Sequence, residues 1–138
     1  MREILFRGKR LDNGAWIEGF YFNKKNPASK DGVPVSHCIS DLPPFGAEVD
    51  FETVGQYTGL NDKNGTKIFE GDVVKYHYLD GFSIREVIFD QYTAKFCLRD
   101  IYGCHNIYVP LLCEVLGNVH DNPELFKGGS SELKGGED

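Results

Sequence analysis

The sequence predicts a mainly β protein with little or no helix, built as two small β modules, the carboxy-terminal one barrel-like. Three observations carry this expectation. Short runs of strand-forming residues recur along the chain and are punctuated by Asn-Gly, Asp-Gly and Pro turns, with no sustained helical periodicity. Aromatic side chains are abundant, with 7 Tyr, 10 Phe and 1 Trp, while Met occurs once, a balance that suits pleated surfaces better than packed helices. Glycine reaches 16 of 138 residues, enough to supply many tight reversals.

Taken in order, residues 2–10 and 15–22 read as two strands joined at Asn13-Gly14, with Trp16 and Glu18 on one face and Ala15, Ile17 and Gly19 on the other. Residues 23–32 are polar and turn-rich and read as a surface loop. Residues 33–39 form a strand that Pro34 confines to an edge, and Pro43-Pro44-Phe45-Gly46 reads as a loop. Residues 49–57 return to strand. The stretch 56–74 holds two reversals: Asn64-Gly65, which suits a type I′ turn with two positive φ values, and Glu70-Gly71-Asp72. Residues 73–78, 84–89, 93–98, 107–109 and 113–119 follow as short strands, and Pro110 can open a single helical turn. Residues 127–138, rich in Gly and Ser, read as a disordered tail. The expected organisation is therefore a module at 1–56, a barrel-like module at 57–126 and the tail at 127–138.

Net charge is −6 and unevenly spread. Residues 1–30 carry seven basic and three acidic side chains, whereas residues 31–72 carry two basic and eight acidic. Such asymmetry can pair within a subunit or between subunits, and it governs association more than fold. The cysteines Cys38, Cys97, Cys104 and Cys113 contain no C-x-x-C pair. Met1-Arg2-Glu3-Ile4-Leu5 lacks the apolar core of a signal peptide, and no apolar run reaches the roughly 18 residues of a membrane span. The expectation is a cytoplasmic protein with free thiols and no membrane association.

Candidate chemistry is sparse. Asp62, Glu70 and Asp72 are near enough in sequence to meet as a carboxylate cluster, but Asp62 is better explained as a turn residue bonding its own backbone and Asp72 as the polar start of a strand. His37-Cys38 and Cys104-His105 offer zinc-type donors, yet adjacent strand residues point to opposite faces, so no metal site is expected there. Cys97, Cys104 and Cys113 lie in strand-like apolar contexts where a thiol is inert. Gly55-Gln56-Tyr57-Thr58-Gly59 lacks the Lys and helix of a phosphate loop. No catalytic set and no cofactor are expected. An internal echo, Phe6-x-Gly8, Asn13-Gly14 and Ile17 against Tyr57-x-Gly59, Asn64-Gly65 and Ile68, fits either a duplicated hairpin or two turns making the same demands.

Tyr57-Thr58-Gly59-Leu60, Asp62-Lys63-Asn64-Gly65 and Ile68-Phe69-Glu70-Gly71-Asp72-Val73-Val74 together resemble the signature of the YopX family of phage and prophage proteins. Phe6-Arg7-Gly8-Lys9-Arg10, Asn13-Gly14 and Trp16 are similar to that family's start, and residues 114–125 to its end. The resemblance spans residues 4–126 and departs at 50–54, where a proline is expected near Phe51. It implies a phage-derived, mostly β protein of unknown activity, with no catalytic residues to carry over. Within the signature Tyr57, Thr58, Gly59, Asp62, Asn64, Gly65, Gly71 and Asp72 read as structural residues. The expected role is a non-enzymatic homo-oligomer that binds itself or another phage or host protein, because small β proteins close uncovered edges against copies of themselves. The alternative is a nucleic-acid-binding small barrel using Arg7, Lys9 and Arg10, which the sequence pI of about 5.2 disfavours.

Overall fold

The computed structural model describes residues 3–25, 35–42, 45–125 and 131–132. The chain divides into two units, Met1–Tyr57 and Thr58–Asp138. Its regular structure is β, with three single-turn 3₁₀ segments among the described residues.

In the first unit β1 (Phe6–Lys9) pairs with β2 (Trp16–Lys25), β2 with β3 (Val35–Leu42), and β3 with β4 (Phe45–Glu48), all antiparallel. The start of β5 (Gly55–Asn61) pairs with the other edge of β1. Cys38, Ile39 and Val49 are buried. Gly8 makes that packing possible, since a Cβ there would lie 3.1 Å from the Val49 Cβ and 3.2 Å from the Ile39 Cδ1. Several segments differ from their sequence reading. Asn23, Lys24 and Lys25 extend β2, because each faces a partner on β3. Phe45 and Gly46 belong to β4. Within the expected strand 49–57, Phe51–Thr53 is a 3₁₀ turn capped by Asp50, whose side chain accepts from the Glu52 amide at 3.1 Å. The remainder of the expected loop, residues 26–32, lies outside the described residues, as do Pro34, Pro43 and Pro44.

In the second unit the end of β5 neighbours β6 (Lys67–Phe69). A five-stranded antiparallel sheet follows in the order β10-β9-β8-β7-β11, from β7 (Asp72–Tyr78), β8 (Gly81–Asp90), β9 (Lys95–Asp100), β10 (Gly103–His105) and β11 (Cys113–Asn118). The barrel expected here is not formed among the described residues: β10 and β11 end the order without pairing to each other, so the sheet does not close on itself. Strand structure sits at 103–105 and not at the expected 107–109, while Pro110–Leu112 forms the anticipated single turn. β11 carries a bulge between Val115 and Gly117. Of the expected tail, Ser131–Glu132 forms β12 on β8, and the rest lies outside the described residues. The core joins Ile68, Val74, Val87, Leu98 and Cys113, with Leu60, Tyr76, Ile107 and Val115 packed on it. Each fully buried Val or Leu contributes about 1.5–3 kcal/mol of hydrophobic stabilisation.

Candidate functional site

Strand alternation builds the candidate site. Val74 faces Arg85, Tyr76 faces Ser83, Val87 faces Leu98 and Leu98 faces His105, so these side chains share one surface of the second unit's sheet. At one end that surface is the apolar core; towards the other it turns polar, with Tyr76, Tyr78, Ser83, Arg85, Asp100 and His105. Arg85 is 6% exposed and Asp100 7%. A buried charge is tolerated only when paired and hydrogen-bonded, and both conditions are met.

Arg85 Nε donates to Ser83 Oγ at 2.8 Å and lies 3.5 Å from Asp100 Oδ2, and its Nη2 donates to the Tyr78 hydroxyl at 2.6 Å. The guanidinium also lies over the Tyr76 ring at 4.6 Å and the Tyr78 ring at 5.6 Å, a cation–π arrangement that fixes its plane. Asp100 Oδ1 accepts from the Tyr102 amide at 2.8 Å and from His105 Nε2 at 3.0 Å. A carboxylate only accepts, so this contact puts a proton on His105 Nε2. Burial works against ionising Asp100, but the His105 hydrogen bond, the Tyr102 amide and the charges of His105 and Arg85 outweigh it and hold its pKa below the ordinary value.

Beside this network lies a cavity of about 480 Å³ lined by Tyr76, Tyr78, Arg85, Cys104, His105, Asn106 and Tyr108. That is within the usual size of a small-ligand pocket. Arg85 Nη1 has no hydrogen bond among the described residues, so the fixed guanidinium keeps donors for an acceptor group entering the cavity. Tyr108, which lines it, is 77% exposed. Asp100 and His105 form an acid–base pair, but Cys104, the adjacent thiol, hydrogen-bonds Cys97, so no nucleophile–base couple is seen among the described contacts.

The signature residues fall elsewhere and do structural work. Asp62, 3% exposed, accepts from the Asn64 and Thr66 amides at 2.8 and 2.9 Å through Oδ1, and from the Val115 amide at 2.8 Å through Oδ2. The turn residue expected from sequence thus also anchors β11. Thr58 Oγ1 donates to the Ile68 carbonyl at 2.8 Å, and Asp72 Oδ2 accepts from the Phe69 amide at 2.7 Å. Gly71 donates its amide to the Val87 carbonyl and accepts from the Val119 amide. Gly59, Gly65 and Gly71 all take positive φ. Asn64 does not, so the turn is not the expected type I′: a Gly65 amide bond to the Asp62 carbonyl and the Asp62 side chain set its shape instead. Asn13 likewise lacks positive φ, and there Gly14 bonds the Arg10 carbonyl, so the echoed Asn-Gly pairs build different turns. Tyr57 is buried, its amide bonded to the Leu5 carbonyl.

In the first unit Arg7 and Lys9 lie over the Trp16 ring at 4.7 and 5.8 Å, while Arg10 is held by Asp12 in a two-point contact at 2.7 and 3.0 Å. Two of the three expected basic contacts are therefore brought together. His37, half-buried, stacks on Tyr21 and Phe51 and bonds the Tyr21 hydroxyl; β3 lies between β2 and β4, so it is not the edge strand expected from Pro34, because β4 covers its other side. Burial raises the pKa of Cys38, drives Cys113 up to about 11 and, with the Cys104 hydrogen bond, drives Cys97 up to about 12. Cys104 is exposed, although its sequence context reads as an apolar strand with an inert thiol.

Arg85, Asp100, Tyr76 and Tyr78 were not singled out from sequence, and His105 was weighed only as a zinc-type donor beside Cys104. A signal existed: Arg85 lies two residues from Val87 and Asp100 two from Leu98, so once strands are assigned, alternation puts both charges on the buried face.

Fold and site together define a mainly β protein of two units, made of open antiparallel sheets, with a pocket lined by tyrosines and polar side chains in the second. The chain belongs to the YopX protein family, whose sequence model matches residues 5–127. Among solved structures it is similar to the crystal structure of protein EF1440 from Enterococcus faecalis, at 21% identity and a TM-score of 0.49, covering 92% of this chain and 100% of that one. A search of curated proteins finds no match. Among the described residues no helix is long and apolar enough to cross a membrane.

Proposed function

We propose that this YopX protein is a phage-derived, cytoplasmic, non-enzymatic interaction module that assembles with copies of itself through the pocket-bearing surface of its second unit. The observation that carries this reading is exposed apolar surface on the second unit: Tyr108, which lines a cavity holding a fixed guanidinium, and Ile101, Tyr102 and Leu111, close to it in sequence, are all more than half exposed. Apolar surface framing a polar anchor is the composition of interface hot spots. The basic first 30 residues and the acidic stretch 31–72 give copies of the chain complementary charge to bring together. Sedimentation velocity over a concentration series tests it. The wild type is expected to associate, and Tyr108→Ala, at an exposed position that leaves the fold intact, to weaken association by about tenfold or more. A monomer at every concentration removes the proposal.

A second reading, nucleic-acid binding, is favoured by Arg7 and Lys9 flanking Trp16, which combines phosphate-seeking charge with a stacking ring. Net charge of −6 opposes it. It predicts retention of single-stranded DNA or RNA at low salt that Arg7→Gln with Lys9→Gln abolishes and Arg10→Gln, already neutralised by Asp12, changes less. No binding at low salt ends this reading.

A further inference from the structure

We propose that Asp90, Cys97 and Cys104 form a binding site for a soft divalent cation of the zinc class. Their donor atoms, one carboxylate oxygen and two thiol sulfurs, all lie within 4.8 Å of one another. Register explains the convergence. Cys97 faces Ile88, two residues from Asp90, and Cys104 faces Arg99, two residues from Cys97, so three adjacent strands each bring one donor to the same surface of the sheet. That surface is the reverse of the one carrying Arg85, Asp100 and His105.

Ligands around tetrahedral zinc sit about 3.5–3.8 Å apart, given Zn–S near 2.3 Å and Zn–O near 2.0–2.2 Å. Closing from the present spacing takes about an ångström of side-chain movement. Asp90 is already oriented for this, accepting from Thr93 Oγ1 at 2.7 Å and from the Tyr92 amide at 3.1 Å. Cys97 is fully buried and Cys104 exposed, so the ion has a protein-side sulfur and a solvent-side approach. Two sulfurs in the donor set select zinc or cadmium over magnesium and calcium. Each thiol must lose its proton to ligate, so binding releases up to two protons: Zn²⁺ exchanges for two H⁺, and the three protein ligands leave a fourth position for water.

The test uses the full chain, reduced, with Co²⁺ as the spectroscopic probe and Zn²⁺ as competitor. One Co²⁺ per chain is expected, with the near-ultraviolet thiolate charge-transfer band and tetrahedral visible bands, displaced by Zn²⁺ and accompanied by proton release. Cys104→Ser, at an exposed position that leaves the fold intact, is expected to lower affinity by at least about tenfold and to weaken the charge-transfer band. Cys38→Ser is expected to leave both unchanged. Absence of the band in the reduced wild type, or an unchanged band and affinity in Cys104→Ser, overturns the proposal. So does a reduced chain that takes up no Zn²⁺ while mild oxidant joins Cys97 to Cys104, which would make the pair a redox couple instead.

Discussion

Asp62 shows how one side chain can hold two levels of structure. Its Oδ1 closes the turn through Asn64 and Thr66, and its Oδ2 reaches the Val115 amide 53 residues away. Asp62→Ala strands these amides and is expected to cost about 2–4 kcal/mol, read from denaturant unfolding. The same contacts fix the sign of an acid effect. Burial resists the charge, but the Val115, Thr66 and Asn64 amides prevail and lower the pKa of Asp62 from 3.8. A group depressed in the folded state stabilises fully above its unfolded pKa, and that contribution disappears as pH falls through the folded value. Stability should therefore decline as pH drops below about 4, and Asp62→Asn should flatten part of that decline. An acid limb unchanged in the variant would refute the assignment.

At the scale of the element, glycines separate into two kinds. Gly65 needs only its φ of 83°, for nothing lies within 4 Å of a Cβ placed there. Gly65→Ala should cost about 1–2 kcal/mol of backbone strain and leave neighbours undisturbed. At Gly19 a Cβ would lie 2.6 Å from the Ser40 carbonyl oxygen, between β2 and β3. Gly19→Ala must push two backbones apart, and a loss larger than that of Gly65→Ala is expected in thermal or urea unfolding. Most strands could be read from sequence because turn residues and β-branched runs advertise them locally. Asn23–Lys25, Phe45–Gly46 and Phe51–Thr53 could not: the first two are ordered by a partner strand and the third by the Asp50 cap. Arg85 and Asp100 were legible only as charges in strands; that they are buried depends on which face the sheet covers.

Over the whole molecule, charge asymmetry and exposed aromatics bear on association. If opposite segments of separate copies attract, self-association should weaken as salt rises, since screening shortens the Debye length to about 10 Å at 0.1 M. Salt-insensitive association would assign the contact to the exposed apolar side chains alone. The sequence by itself determined the β class, the places of its tight reversals and the family, because each rests on local backbone preference or a linear pattern of residues. Only the tertiary structure decided that the second sheet stays open, that Asp62 reaches β11, that Arg85 and His105 line one cavity and share Asp100, and that Asp90, Cys97 and Cys104 meet on the opposite surface. These depend on strand order and register, which bring together residues far apart in the chain, and no local propensity encodes either.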